Sequence, residues 1–214
     1  MNYLNLILSN NSILRTLQIQ EFKKYKLNGD CIEFGSNIKI NRNFLKSNSQ
    51  YYKTTYSNII KNKNFVYIDL QKKINHKKKY DHVIIFNVLE HLLHVDVSIK
   101  NLHYLLKKNG KIIGSTPFIY RIHGAPEDYN RYTKQLLEKI LKKNKFDNIE
   151  IKELGSGPFL ACISLLRGYL KYIPVLSQLL TILAILIDNM LSLFSKNNLR
   201  EIYPIGYIFR AKKK

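Results

Sequence analysis

Residues 80–132 read YDHVIIFNVLEHLLHVDVSIKNLHYLLKKNGKIIGSTPFIYRIHGAPEDYNRY, and the fold of the chain is decided there. Residues 81–86, DHVIIF, form a short continuous apolar run of the kind a strand buried on both faces requires. Residues 95–106 place Val97, Leu102, Leu105 and Leu106 at helical spacing. Asn109-Gly110 then predicts the end of that helix, with Lys107 and Lys108 where the helix dipole favours cations. Residues 111–115, KIIGS, follow as a second strand. Strand, helix and strand joined by short loops make a right-handed parallel crossover, hence an α/β sheet covered on both faces. Ligands of such sheets bind beyond the carboxyl ends of the strands, which singles out residues 87–91 and 116–132.

Three blocks in this order, FNVLEHL (86–92), KKNGKIIGSTPF (107–118) and HGAPEDYNRYT (123–133), resemble the class I S-adenosylmethionine-dependent methyltransferases of the type 11 kind. The ending Pro-x-Asp-Tyr-x-Arg-Tyr-Thr is similar to a subgroup associated with cell-surface glycan and lipid biosynthesis. The resemblance implies a Rossmann-like methyltransferase fold: a mostly parallel, seven-stranded sheet with helices on both faces. It implies S-adenosylmethionine as cofactor and, as activity, O-methylation of a glycan, lipid-linked saccharide or other cell-envelope precursor.

Carried onto this chain, the family's first strand falls on residues 31–34, CIEF, with Glu33, Gly35 and Ser36 in the loop that approaches the methionine part of the cofactor. Asn37 stands where a further glycine is usual. Residues 50–57 read as the second strand, and Tyr56 stands where the family carries the acid that binds both ribose hydroxyls. A phenol offers one hydrogen bond where a carboxylate offers two acceptors, so ribose binding is weaker or differently arranged. Residues 65–68 make the third strand and lead to Asp69, which the resemblance assigns to the adenine amino group; a turn cap is its other reading. Asn87 and Val88 line the methionine and ribose portion by the same resemblance.

On the acceptor side, His123 is the natural general base near neutral pH, with Asp128 its orienting partner or the base itself. His91 is a further candidate base. Its neighbour Glu90 points about 100° away on a helix, so the two need not cooperate. Tyr129, Arg131 and Tyr132 are placed to hold a sugar or an anionic group; in the alternative, Asp128 pairs with Arg131 as a loop latch and the tyrosines pack on the sheet. Thr133 caps a helix over 134–143.

The 214 residues suit a single methyltransferase-like domain, 1–214, and the formal charge is +20. The lysines are scattered in pairs and triplets rather than gathered on one element, so no nucleic-acid surface is expected. An RNA methyltransferase is the least favoured class, because the strand ending at Phe86 runs into Asn87-Val88-Leu89 rather than an Asn/Asp-Pro-Pro-Tyr/Phe loop. Cys31 and Cys162 share no close spacing and the histidines form no metal-spaced set, so neither a disulfide nor a metal is expected. The N-terminal residues lack the features of a secretory leader, and a helix over 12–25 shows Leu14, Leu17 and Phe22 to the core.

Residues 149–154 and 205–211 read as the last two strands. Between them residues 158–194 are strongly apolar, with Arg167, Lys171 and Asp188 the charges, within a helical insertion over 158–200. The uncharged part, 172–187, is shorter than the roughly 18 to 20 residues a spanning helix needs and holds Pro174. A helical pair lying on the membrane or over the active site is expected, with a dimer interface the alternative; Arg167, Lys171, Lys196 and Arg200 border it. The expected location is cytoplasmic, peripheral at the inner face of the cytoplasmic membrane. A binding or scaffold protein that keeps the fold without catalysis is the second functional reading, drawn from Asn37 and Tyr56.

Overall fold

The computed structural model describes residues 3–9, 11–35, 50–55, 65–124, 127–170 and 172–214. Two compact units emerge: a first of residues 1–24, 117–122 and 152–208, and a second of 25–116, 123–151 and 209–214.

The strands are β1 (Cys31–Phe34), β2 (Tyr51–Thr55), β3 (Phe65–Tyr67), β4 (Tyr80–Phe86), β5 (Leu106–Pro117), β6 (Phe146–Leu154) and β7 (Gly206–Lys213). They form one seven-stranded sheet in the order β3-β2-β1-β4-β5-β7-β6. β1 pairs in parallel with β2 and β4, β2 with β3, and β4 with β5; the sheet is mostly parallel with one antiparallel hairpin. β1 is buried throughout and β4 everywhere but Asp81, as central parallel strands demand. β6 is buried at its two ends and alternates between half-buried and exposed residues in between, as an edge strand does.

In the second unit α3 (Val95–Leu105) connects β4 to β5. The expected crossover is present, but its junction differs from the sequence reading. The helix ends at Leu105, and Leu106 already pairs with Tyr80 as the first residue of β5. Asn109, not Gly110, takes the left-handed conformation, with φ +64°, in an irregularity between the Tyr80–Leu106 and His82–Lys111 pairs. Lys107 and Lys108 therefore belong to the strand, and Lys107 pairs with Asp81 at 2.8 Å. Val97 is 44% exposed, while Ile99, Leu102 and Leu105 are buried. Residues 97 and 99 lie about 200° apart on the helix, so one cannot share the other's face. α4 (Lys134–Lys143) starts at Thr133, whose hydroxyl accepts the Leu136 N–H as expected.

The first unit holds α1 (Tyr3–Leu8), α2 (Ile13–Phe22), α5 (Pro158–Leu170), α6 (Pro174–Phe194) and α7 (Leu199–Ile202). Ser12 caps α2 by accepting the Arg15 N–H, and Leu14, Leu17 and Phe22 are buried. α5 packs on α6, α1 on α6, and α2 on α5. The expected helical pair is thus present, but its second member is longer than the uncharged run foretold. Pro174 lies in its first turn, where proline suits a helix, and the helix continues through Asp188. Asp188 is 1% exposed, and its carboxylate accepts the Ser156 hydroxyl at 2.7 Å and the Phe159 and Leu160 N–H groups at 3.0 and 3.1 Å. It caps the start of α5 from α6. By length and composition α6 is apolar enough to cross a membrane, and 28% of its most apolar stretch is buried.

Candidate active site

The carboxyl ends of β1 and β4 meet closely. Gly35 follows β1 with φ +90°, and a Cβ there would stand 2.5 Å from Val88 Cγ2 and 2.7 Å from the Phe86 carbonyl oxygen. Only glycine fits such a position, in both torsion and space. At the end of β4, Asn87 adopts φ +53° and donates its N–H to the Ser115 carbonyl of β5 at 2.9 Å. A non-glycine residue held left-handed is a strained point of the backbone of the type found at ligand-binding turns. Val88 is buried against Gly35, so it backs this turn from within.

Glu33 is fully buried, and the Tyr51 hydroxyl of β2 donates to its carboxylate. Burial and the charge of Glu33 push the Tyr51 phenol far above its ordinary pKa. The Thr54 hydroxyl donates to the Glu33 carbonyl at 3.0 Å. Tyr51 is the β2 partner that sequence reasoning missed; the parallel register, Glu33 opposite Lys53, was needed to find it. Asp69 accepts the Gln71 N–H at 2.9 Å and lies 3.3 Å from Lys72 Nζ, the geometry of a turn cap. Ser36, Asn37 and Tyr56 lie outside the described residues.

Directly after Asn87 and Val88, residues Leu89–His91 form a single 3-10 turn onto which the loop before α4 is stitched. The Glu90 carbonyl accepts the Tyr129 and Asn130 N–H groups at 2.8 and 3.1 Å. The Asn130 side chain donates to the Leu92 carbonyl, and the Tyr132 hydroxyl to that of Leu89, each at 2.9 Å. Burial, with the charge of Glu90, raises the Tyr132 pKa. Tyr132 is a buried strut of the loop, whereas Tyr129 is exposed.

Within the loop, Asp128 accepts two hydrogen bonds from the Arg131 guanidinium, at 2.5 and 2.7 Å, and one from the His123 N–H at 2.9 Å. The Arg131 guanidinium holds the Asp128 carboxyl well below the usual carboxylate range, with His123 adding to the effect. So weak a base takes no proton at neutral pH. His123 Nδ1 lies 3.2 Å from Asp128 Oδ2. The pairing of Asp128 with Arg131 is the loop latch that the sequence offered as the alternative to Arg131 holding a sugar or an anion.

The His91 and His123 rings meet edge to face at 5.0 Å. His91 Nδ1 lies 2.5 Å from the Glu127 carbonyl oxygen. Glu90, His91 and His123 each present a donor atom, all within 4.8 Å of one another. The spacing along the chain gave no metal-type set; folding brings this one together. His91 Nε2 lies 3.9 Å from Glu90 Oε1, so the three side chains converge on one place.

No family model matches the chain, and no curated protein matches its sequence. Solved structures do match its fold. Haemonchus contortus phosphoethanolamine N-methyltransferase 2, with phosphomonomethylethanolamine and S-adenosylhomocysteine, is 16% identical, aligns with 99% of this chain and 56% of its own, and gives a TM-score of 0.56. The fold is that of the S-adenosylmethionine-dependent methyltransferases. An O-methyltransferase of a Brevibacillus brevis trans-AT polyketide multienzyme, with S-adenosylhomocysteine, is 16% identical over 92% of this chain and 71% of its own, TM-score 0.56. A possible histamine N-methyltransferase of Thermotoga maritima is 10% identical over 99% and 94%, TM-score 0.55. The chain thus spans little more than half the length of the Haemonchus enzyme and nearly all of the Thermotoga one. Their names place methyl groups on both nitrogen and oxygen.

Proposed function

We propose that this protein is an S-adenosylmethionine-dependent methyltransferase acting on a hydroxyl of a glycan, lipid-linked saccharide or other cell-envelope precursor, at the cytoplasmic face of the membrane. The observation that carries the reading is the stitched loop: His123, oriented by Asp128, is held against the turn that directly follows Asn87.

Two features of the second unit support a cofactor there: Gly35, with no room for a Cβ, and the left-handed Asn87 follow β1 and β4, and this reading assigns them, with Glu33, to the methionine portion. The same reading assigns Asp69 to the adenine, although its carboxylate accepts the Gln71 N–H of its own turn. S-adenosylmethionine, when bound, supplies an electrophilic methyl group on a sulfonium sulfur. The chain's own task is then to position the acceptor and remove its proton. His123 Nε2 accepts the hydroxyl proton, and Asp128 accepts from Nδ1–H, which sets the tautomer and stabilises the imidazolium that results. Tyr129, exposed beside them, offers a face for a sugar ring. Arg131 acts through Asp128.

Calorimetric titration of the folded protein with S-adenosylmethionine and S-adenosylhomocysteine tests the reading. Saturable binding of both is expected. No binding by protein with a cooperative melting transition would refute the enzymatic reading and favour the scaffold.

A further inference from the structure

The first unit contains a cavity of about 560 Å3, framed by the end of α1, the residues before α2, Tyr120 and Arg121, α5 and the start of α6. Its lining carries two arginines and no carboxylate. Arg167, from α5, is half-buried and donates to the Ser9 carbonyl at 2.7 Å and to the Thr181 hydroxyl at 3.1 Å. Thr181 in turn donates to the Ser177 carbonyl. These acceptors are neutral, so the guanidinium is fixed in place and desolvated without neutralisation of its charge, with donors to spare. Burial lowers its pKa, and a guanidinium stays cationic in proteins. Ser164, on the same helix, lines the cavity; it is 9% exposed and its hydroxyl has no partner in the protein. Ser12, the N-cap of α2, also lines it, which brings the positive end of that helix to the wall. An oriented cation, an unspent hydroxyl and a helix N-terminus around one cavity recognise an anion with several acceptor oxygens.

The rim says where that anion comes from. Leu8, Leu165 and Tyr169 line the cavity and are exposed, Tyr169 by 80%. Beyond them α5 and α6 expose a run of large apolar side chains, Leu166, Leu179, Leu183 and Leu186 among them. The acid of α6, Asp188, is turned inward to cap α5, so this face offers no carboxylate to repel an anionic surface. Lys196 and Arg200, just past α6, are exposed. A soluble phosphate needs no apolar rim, whereas a lipid headgroup does.

We propose that this cavity binds the phosphate of an anionic membrane lipid, with the apolar faces of α5 and α6 seated in the bilayer beside it. The proposal concerns the first unit alone and stands apart from methyl transfer, so the cofactor titration and the test below fail independently.

The test is flotation of the full chain with vesicles of phosphatidylcholine, with and without phosphatidic acid. Gly168 lines the cavity on α5, and a Cβ there meets nothing within 4 Å, so it accepts substitution without disturbing the fold. Wild type is expected to float with phosphatidic acid vesicles. Gly168→Glu, which places a carboxylate beside Arg167, should weaken binding about tenfold or more, the value of a charge-assisted contact. Gly168→Ala and the charge-matched Lys139→Gln on exposed α4 should bind as wild type, and Leu183→Glu on the apolar face should bind weakly. Glycerol 3-phosphate should compete only weakly. Absence of flotation overturns the proposal. So does an equal loss in Gly168→Glu and Lys139→Gln, which would make the binding a matter of net charge. Full flotation of Leu183→Glu overturns it as well, and displacement by glycerol 3-phosphate as effectively as by lipid would make the cavity a soluble-phosphate site.

Discussion

At the scale of single residues, Gly35 and the Asp128–His123–Arg131 group carry the functional argument. Gly35→Ala forces a Cβ to within 2.5 Å of Val88 at φ +90°. We expect a loss of about 2 kcal/mol or more of stability together with loss of cofactor binding, read by denaturant unfolding and calorimetry. Asp128→Asn removes the charge that Arg131 and His123 face, in a carboxylate that is 1% exposed. Stability should fall by about 1–3 kcal/mol. His123→Ala should behave differently: cofactor affinity kept, with turnover lower by about 10²- to 10⁴-fold, the usual contribution of a general base. Equal turnover by His123→Ala and wild type, once an acceptor is in hand, would remove His123 from the mechanism. The meeting of His123, Asp128 and Arg131 was legible in the sequence, because His, Asp and Arg crowd after a strand end. The division of roles was not, since it depends on which carboxylate oxygen meets which donor.

Among the elements, α5 and α6 owe their pairing to one buried acid. Asp188 reaches from α6 to the unsatisfied N–H groups at the start of α5, and Gly157 makes room, since a Cβ there would lie 2.7 Å from Asp188 Oδ1. Asp188→Ala should cost about 2 kcal/mol or more, seen as a lower unfolding midpoint, because it strands the Ser156 hydroxyl and two backbone donors. Sequence reasoning counted Asp188 as a charge that interrupts an apolar run. The signal that would have corrected it is the pairing of Ser156-Gly157-Pro158, a helix start without its own acidic cap, with a lone acid in the next helix. The crossover was read more accurately, because a buried parallel strand must be a continuous apolar run and 81–86 is one. Its helix ends at Leu105, three residues before the end that Asn109-Gly110 predicts, and the left-handed residue is Asn109 rather than Gly110, since Asn tolerates that conformation too.

For the whole molecule, one buried and two half-buried histidines predict how stability responds to acid. Burial lowers the pKa of His76, His82 and His103, and nearby lysines add to the effect at each. Unfolded, these side chains titrate near about 6.5; folded, they titrate lower. Between the two values the unfolded chain binds more protons, so stability is complete above about pH 6.5 and falls as the pH drops toward the folded values. The thermal midpoint should therefore decline between about pH 7 and about pH 5, well above the range where Asp128 would titrate. His82→Gln should reduce that slope. A midpoint flat across this interval would mean that the histidines are accessible in the folded state.

The sequence by itself determined the α/β class, the crossover, the order of the strands along the chain and the presence of an apolar helical pair, because each of these follows from local periodicity and turn chemistry. It also marked the loop that carries His123, Asp128 and Arg131. Tertiary structure alone decided what these groups do. Glu90 and His91 meet His123, Tyr51 meets Glu33, Asp188 meets the start of α5, and Arg167 is fixed by Ser9 and Thr181, only once strands and helices distant along the chain are packed together. Such meetings depend on register, helix phase and side-chain reach across elements, and no local pattern of residues encodes those.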